Sequence, residues 1–440
     1  MRDNRFYDTP RSDNRTAFQI DRDRVLYSSA FQRLAHVTQV VSADETHIFH
    51  NRLTHSLQVA QVARRIAEFL ASEGSDHHKV RDDKGTLIDV NPDVCEAAAL
   101  CHDLGHPPYG HITEELLQEL TLENGLTDSF EGNAQSFRIV NKLSSLDISC
   151  PGLDLTRATL NAILKYPWMK RQNTGKRKRN KWGAYASERR EFEWARELTP
   201  NHEFEQCIEA AIMDWADDVT YSVHDLEDFY RAGLIPLDRL GVDSRERQRF
   251  LDSILEREKD LLPYSENAIE EKLKDLTETW TELKPYEGGS TQRKLVRTMS
   301  SQLIGQYVRC VSCKWSDEKS EHVLDIPKEK RLEVFILKQL TWHYVILRSS
   351  LSTQQAGQKH VIRTLFGIFN SALNSTSALG IFPHFYREEL LELRQKEKSL
   401  KSQLRVVVDF LSSMTEKQAL TMFQQLTGSS LGSALTNPLR

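Results

Sequence analysis

Along most of the chain apolar residues return every three or four positions, with charged residues filling the gaps, and no sustained two-residue alternation competes with that period. The pattern predicts an all-α fold. Helices are expected from Leu53 to Ala71, Pro92 to Cys101, Thr113 to Leu122, Asn133 to Leu143, Leu155 to Lys165 and His202 to Arg231, with further helical periodicity through 244–282, 291–312, 329–350, 355–376 and 386–426. Residues 72–91, with Gly74, Gly85 and Asn91-Pro92, read as a loop with a short hairpin, and the stretch after Thr427 is rich in Gly, Ser and Asn and reads as loose. In the first helix Val59, Ala63, Ile66 and Leu70 mark the buried face, and His55 stands one turn before Val59 on that same face. Alone, such a histidine reads as a hydrogen-bonded core residue; other segments change that weighting.

The densest chemistry lies at 101–114, where three histidines and two carboxylates surround a helix break made by Gly105 and Pro107-Pro108. Adjacent His102 and Asp103 offer an imidazole nitrogen and a carboxylate oxygen, donors suited to a borderline or hard divalent ion. Ile112, Leu116, Leu117 and Leu120 then resume helical spacing, so a new helix is expected to begin near Tyr109. His111 and Glu114 are three apart on it, where a carboxylate can orient an imidazole for proton transfer. The alternative is a helix-start Glu that satisfies free amides beside a surface His. A second candidate segment, 208–225, repeats Asp217, Tyr221 and Asp225 every four residues on an otherwise apolar helix; it fits a polar cleft wall or a solvated acidic face.

Together these segments resemble a known family. His55, His102-Asp103 and Asp217 are similar to the H…HD…D metal-binding signature of the HD superfamily. The longer motifs at 30–34, 51–56, 102–111, 130–135 and 216–221 resemble the deoxynucleoside triphosphate triphosphohydrolases of the bacterial dGTPase type, covering about the first 230 residues and, more loosely, the rest. The resemblance implies His55, His102, Asp103 and Asp217 as ligands of a divalent ion (Mn, Mg, Fe, Ni or Zn). It implies His111 and Glu114 as the catalytic pair, Arg52, His106, Lys165 and Tyr166 as triphosphate contacts, and Gln39, Tyr221 and Asp225 as deoxyribose contacts. Residues 1–235 would form the metal-dependent core, and 236–440 a helical region that adds to the substrate pocket and to a homo-oligomer interface, a hexamer or another dimer-based assembly. Gly132 and Asp218 stand where the vertebrate member has His and Lys, so nucleotide-triggered tetramer activation is not carried over.

Composition decides less. The 440 residues are 39% apolar with a formal net charge of −5, which excludes a protein that is basic overall. Six cysteines are too few for a disulfide scaffold in so long a chain, and neither a signal peptide nor a bilayer-length apolar run is evident; the default expectation is a reducing cytoplasm and no membrane. Cys310 and Cys313 form an isolated C-x-x-C, expected to be two ordinary thiols on a helix. The run from Lys165 to Lys181 has bases and no acid, which suits a loop that steers deoxynucleoside triphosphates, or a single-stranded DNA contact with Trp168 and Trp182 as stacking platforms. Another HD phosphohydrolase and a nucleotide or DNA sensor remain as alternatives; a guanosine-tetraphosphate hydrolase is disfavoured because Gly105-His106-Pro107 replaces its H-D-x-x-E-D pattern.

Overall fold

Helices make up nearly all the regular structure of the computed structural model, which describes residues 1–7, 14–40, 49–72, 79–81, 87–145, 150–170, 180–199, 204–258, 262–316, 321–396 and 399–430. The all-α expectation holds, apart from two small antiparallel hairpins, Lys79–Arg81 with Leu87–Asp89 and Ser312–Ser316 with Glu321–Asp325. The first lies in the expected loop. The second was not foreseen: Val311 and Cys313 are buried while Ser312 and Lys314 are exposed, an alternation too short to outweigh the helical pattern around it. Cys313 therefore sits on a strand and Cys310 at a helix end, not together on a helix; neither is in a disulfide.

The hub is the helix Pro92–Cys101. Asn91 caps it by accepting hydrogen bonds from the Asp93 and Val94 amides, Pro92 occupies its first turn, and it is apolar nearly all round, so every residue except Glu96 is buried. The helices Ala17–Leu26, Arg52–Ser72 and Ile208–Arg231 pack against it. This arrangement brings His55, His102 and Asp217, each from a different helix or helix end, to one place.

Several expected helices are broken where local chemistry dictates. The 244–282 span is two helices, Ser244–Glu258 and Glu266–Glu278, with Pro263 between them and Ser265 capping the second. The 386–426 span is three, His384–Gln395, Leu400–Ser413 and Glu416–Leu426; the last starts at a capping box in which Thr415 and Gln418 bond each other's backbone amides. The helix expected near Tyr109 begins at His111, because Tyr109 and Gly110 both take positive φ, 65° and 62°.

Two apolar clusters hold these elements. One runs from Val25 to Val345, across position 235. The other joins Leu116, Leu117 and Leu120 of the His111 helix to Val361, Phe366, Val407, Phe410 and Met422 of the C-terminal helices. Phe382 belongs to that second cluster, whereas Phe385 is 61% exposed. Among the described residues no helix is long and apolar enough to cross a membrane.

The break after the hub helix has no room for a side chain. The Gly105 amide donates to Ser136 Oγ at 2.9 Å, and a Cβ on Gly105 would overlap the Gly132 carbonyl and the Ser136 amide. Gly105→Ala must push two backbones apart, and we expect a loss of about 1–3 kcal/mol of stability, typical of overpacking. Urea unfolding of metal-free protein checks this; an unchanged midpoint would mean the helix Gly132–Arg138 yields freely.

Candidate active site

His102 is the C-cap of the hub helix, and its Nδ1–H donates to the Ala99 carbonyl at 2.6 Å. That bond fixes the tautomer. Nε2 then carries the lone pair, is buried, and has no hydrogen-bond partner among the described residues. A buried imidazole held from behind by a carbonyl, with its other nitrogen facing further donor atoms, is oriented as a metal-ligating histidine is. His55 Nε2 lies 3.2 Å from Asp217 Oδ1, and His102 Nε2 lies 3.6 Å from the same oxygen and 3.5 Å from Asp103 Oδ1. Two atoms each bound about 2.1 Å from one ion stand roughly 3–3.5 Å apart, so the separations suit a shared divalent cation. One donor atom from each of His55, His102 and Asp103 falls within a 4.8 Å cluster. The donor set fits.

Electrostatics keep these ligands in the state a cation needs. Burial lowers the His55 pKa, so that its ring is neutral. Burial alone would raise Asp103 and Asp217, but the neighbouring cations outweigh it: the Arg52 guanidinium holds Asp103 well below the usual range, and the Lys165 ammonium does the same for Asp217.

Arg52 opens the His55 helix. Its Nη1 donates to Asp103 Oδ2 at 2.6 Å, while Nη2 and Nε are buried with no hydrogen-bond partner among the described residues, which leaves two nitrogens to donate to an anion. His106 Nδ1 is 3.0 Å from Asp103 Oδ1, and burial, with Arg52 close by, pushes its pKa down to about 4. Neutral His106 is a hydrogen-bonding group rather than a charge.

The pair three apart at the next helix start does form. His111 Nδ1 is 3.0 Å from Glu114 Oε2, with the Glu114 side chain buried and the imidazole 66% exposed, so the ring reaches into solvent from a fixed anchor. Glu114 is also bonded by Lys181 Nζ at 2.6 Å and by the Gly132 amide at 3.3 Å. Burial opposes its ionisation, and Lys181 and then His111 overcome that to hold it well below the usual range.

On the Ile208–Arg231 helix, Asp217, Tyr221 and Asp225 share one face as their spacing required. Burial and the neighbouring Asp228 raise Asp225 well above the ordinary carboxylate, and neither its Oδ2 nor the buried Gln39 Oε1 has a hydrogen-bond partner among the described residues. Such orphaned acceptors suit a ligand that brings hydroxyl donors. Lys165 differs from a free phosphate contact: Nζ lies 2.8 Å from both Asp214 Oδ1 and Asp217 Oδ2. Tyr166 packs edge-on against Trp168, with ring centroids 5.5 Å apart.

Three participants escaped the sequence reasoning. Lys181 bridges Glu114 and Glu131, the latter pushed up to about 7 by burial, with Lys181 opposing and Glu114 adding to the rise. It was visible only as the last base of the run 165–181. Lys338, from the helix Lys328–Thr341, pairs with Asp218 and lies 5.9 Å from the Tyr221 ring; nothing in its own segment marks it. Glu416 reaches the backbone beside Gln39 from the far end of the chain. The stacking platforms are a correction: Trp168 and Trp182 are 3% and 1% exposed, packed with Ala134 and Tyr185, so neither offers a face to a base. Most of the basic run, 171–179, lies outside the described residues.

Residues 52–222 match the HD domain family, and residues 324–425 match the phosphohydrolase-associated domain. The chain is similar, at 34% identity over 436 residues, to a deoxyguanosinetriphosphate triphosphohydrolase-like protein of Streptomyces coelicolor, covering 94% of this chain and 93% of that one. It is also 34% identical over 421 residues to such a protein of Corynebacterium glutamicum (92% and 90% covered) and 29% identical over 432 residues to one of Bifidobacterium longum (94% and 83% covered).

Proposed function

The chain belongs to the family of deoxyguanosinetriphosphate triphosphohydrolase-like proteins and carries an HD domain, and from that premise we propose that it hydrolyses deoxynucleoside triphosphates, dGTP among them, to deoxynucleoside and tripolyphosphate. The observation that carries the proposal is the juxtaposition of the metal-ligand set with the anchored His111–Glu114 pair, with His106 between them: its ring centroid is 5.0 Å from that of His111, and its Nδ1 is 3.0 Å from Asp103.

His55, His102, Asp103 and Asp217 would hold a divalent ion, which would supply Lewis-acid polarisation of the α-phosphoryl group and a lowered pKa for water. Arg52 directs the N–H groups of Nε and Nη2 at phosphate oxygens, and His106, its Nδ1–H turned to Asp103, lines the same side of the pocket. Lys165 balances the Asp217 charge and sits one carboxylate away from the phosphates. His111 presents Nε2 outward while Glu114 holds Nδ1–H, the orientation needed to place a water in line with the α-phosphorus and move its proton. Gln39 and Asp225 take the sugar hydroxyl, with Tyr221 beneath it; a 2′-hydroxyl would meet the Tyr221 ring and fixed partners, which is how a buried site rejects a ribonucleotide. The reading extends to dNTP pool control in a reducing cytoplasm, supported by six cysteines none of which is in a disulfide, and to a homo-oligomer, supported by exposed Trp342, Leu347, Phe385 and Leu400.

Product analysis tests the proposal. Metal-stripped protein is given Mn or Mg and each dNTP, alone and mixed, with rNTP controls. Deoxynucleoside with intact tripolyphosphate is the expected result. Orthophosphate released from monophosphates, or opening of cyclic nucleotides, would transfer the chain to another HD activity.

A further inference from the structure

The site is stitched to the C-terminal region at one carboxylate. Glu416 Oε1 accepts hydrogen bonds from the Thr38 amide at 2.7 Å and the Tyr109 amide at 3.1 Å, and Oε2 accepts from the Thr38 hydroxyl at 2.9 Å. The Tyr109 hydroxyl returns a bond to the Glu416 carbonyl at 3.3 Å. Both gripped segments are irregular and have no helix or sheet ladder to occupy those amides. Thr38 immediately precedes Gln39 and bridges Asn51 on its other side, where the Arg52 amide donates to the Val37 carbonyl at 3.1 Å. Tyr109 and Gly110, both at positive φ, immediately precede His111, and a Cβ at Gly110 would stand 2.9 Å from Arg52 Nη2. Glu416 is itself held in place, as the first residue of a helix whose start is fixed by the Thr415–Gln418 capping box. One corner away, Arg33 donates to the Met414 carbonyl and to the Leu104 and His106 carbonyls, so the same turn of the C-terminal region is tied twice to the catalytic loop.

We infer that Glu416 is a positioning residue: its Oε1 sets the spacing between the Gln39 segment and the start of the His111 helix. The inference rests on the triphosphohydrolase reading. What the geometry demands at Oε1 is a bifurcated acceptor, not a charge. The Thr38 hydroxyl at Oε2 can accept as well as donate. Glu416→Gln therefore preserves every contact, with Oε1 kept for the two amides and Nε2 donating to the Thr38 hydroxyl, whereas Glu416→Ala leaves two backbone amides without a partner and both segments free to drift. A misplacement of about 1 Å is enough to cost roughly a hundredfold in rate.

The test uses the full chain with Mn and dGTP, following kcat, KM, metal content and amide hydrogen exchange together. Glu416→Ala is expected to lower kcat by about tenfold to a hundredfold with metal content unchanged, and Glu416→Gln to stay within about threefold of wild type. Exchange at the Thr38 and Tyr109 amides should rise in the Ala variant and not in the Gln variant. A Gln variant as impaired as Ala, or an Ala variant with wild-type kcat and exchange, overturns the positioning role. If Glu416→Ala does not fold, Glu416→Asp replaces it, since its shorter arm keeps the charge but withdraws the acceptor; wild-type kcat there also overturns the role. Failure of the wild-type protein to hydrolyse any dNTP sinks the activity reading instead, and the exchange comparison still decides whether the tie exists.

Discussion

Asp217→Ala protein will come off the column without its divalent ion and will not turn over. Asp217 is the residue the other proposed ligands share: Oδ1 faces both His55 and His102, and Oδ2 bonds Lys165. Its removal takes one donor from the set and leaves the buried Lys165 charge with Asp214 alone, next to the place where a cation must sit. Both changes disfavour metal binding. Loss of the ion forfeits several kcal/mol of transition-state stabilisation, roughly a thousandfold in rate. His102→Ala should match it, because its unpartnered Nε2 is the donor most clearly prepared for the ion. Elemental analysis alongside activity reads both effects, and a variant that retains stoichiometric metal and normal turnover would remove Asp217 from the ligand set.

His111→Ala separates chemistry from binding. The side chain is largely exposed at the start of a helix, and alanine is a good helix former, so the fold should tolerate the change. Glu114 keeps its bonds to Lys181 and the Gly132 amide. Metal content and the affinity for a non-hydrolysable dGTP analogue should therefore stay close to wild type while kcat falls by about a hundredfold to ten-thousandfold, the usual contribution of a positioned proton-transfer group. Equal losses of analogue affinity and kcat would instead make His111 a binding residue.

What the sequence disclosed follows the distance over which each relation acts. His102-Asp103 and the His111/Glu114 spacing are local and could be read directly, and the helical repeat placed Asp217, Tyr221 and Asp225 on one face. The hub helix Pro92–Cys101 was legible to the residue because its cap, first-turn proline and apolar run agree. Relations that depend on packing were not legible. Lys165 could be seen as a base in a basic run, but not as the partner of two carboxylates on a helix some fifty residues later. Trp168 and Trp182 looked like exposed platforms because their neighbours are charged, yet they fold inward against Tyr185. Glu416 sits in an ordinary amphipathic helix start, and only the fold shows that its carboxylate faces Thr38 and Tyr109.

The apolar face formed by Leu116, Leu117 and Leu120 has a consequence for how the molecule is made. Its packing partners, Val361 to Met422, are translated about 240–305 residues later. At 5–20 residues per second the His111 helix waits on the ribosome for roughly 12–60 s before that face is fully covered. The nascent chain is thus exposed to holdase chaperones throughout that interval, and the helix that carries His111 and Glu114 is covered only once Met422 has cleared the exit tunnel. Ribosome-bound chains halted before Val361 should be cleaved by protease within 111–123, and chains extended past Met422 and clear of the exit tunnel should resist; equal protection in both would show that the early region closes on its own.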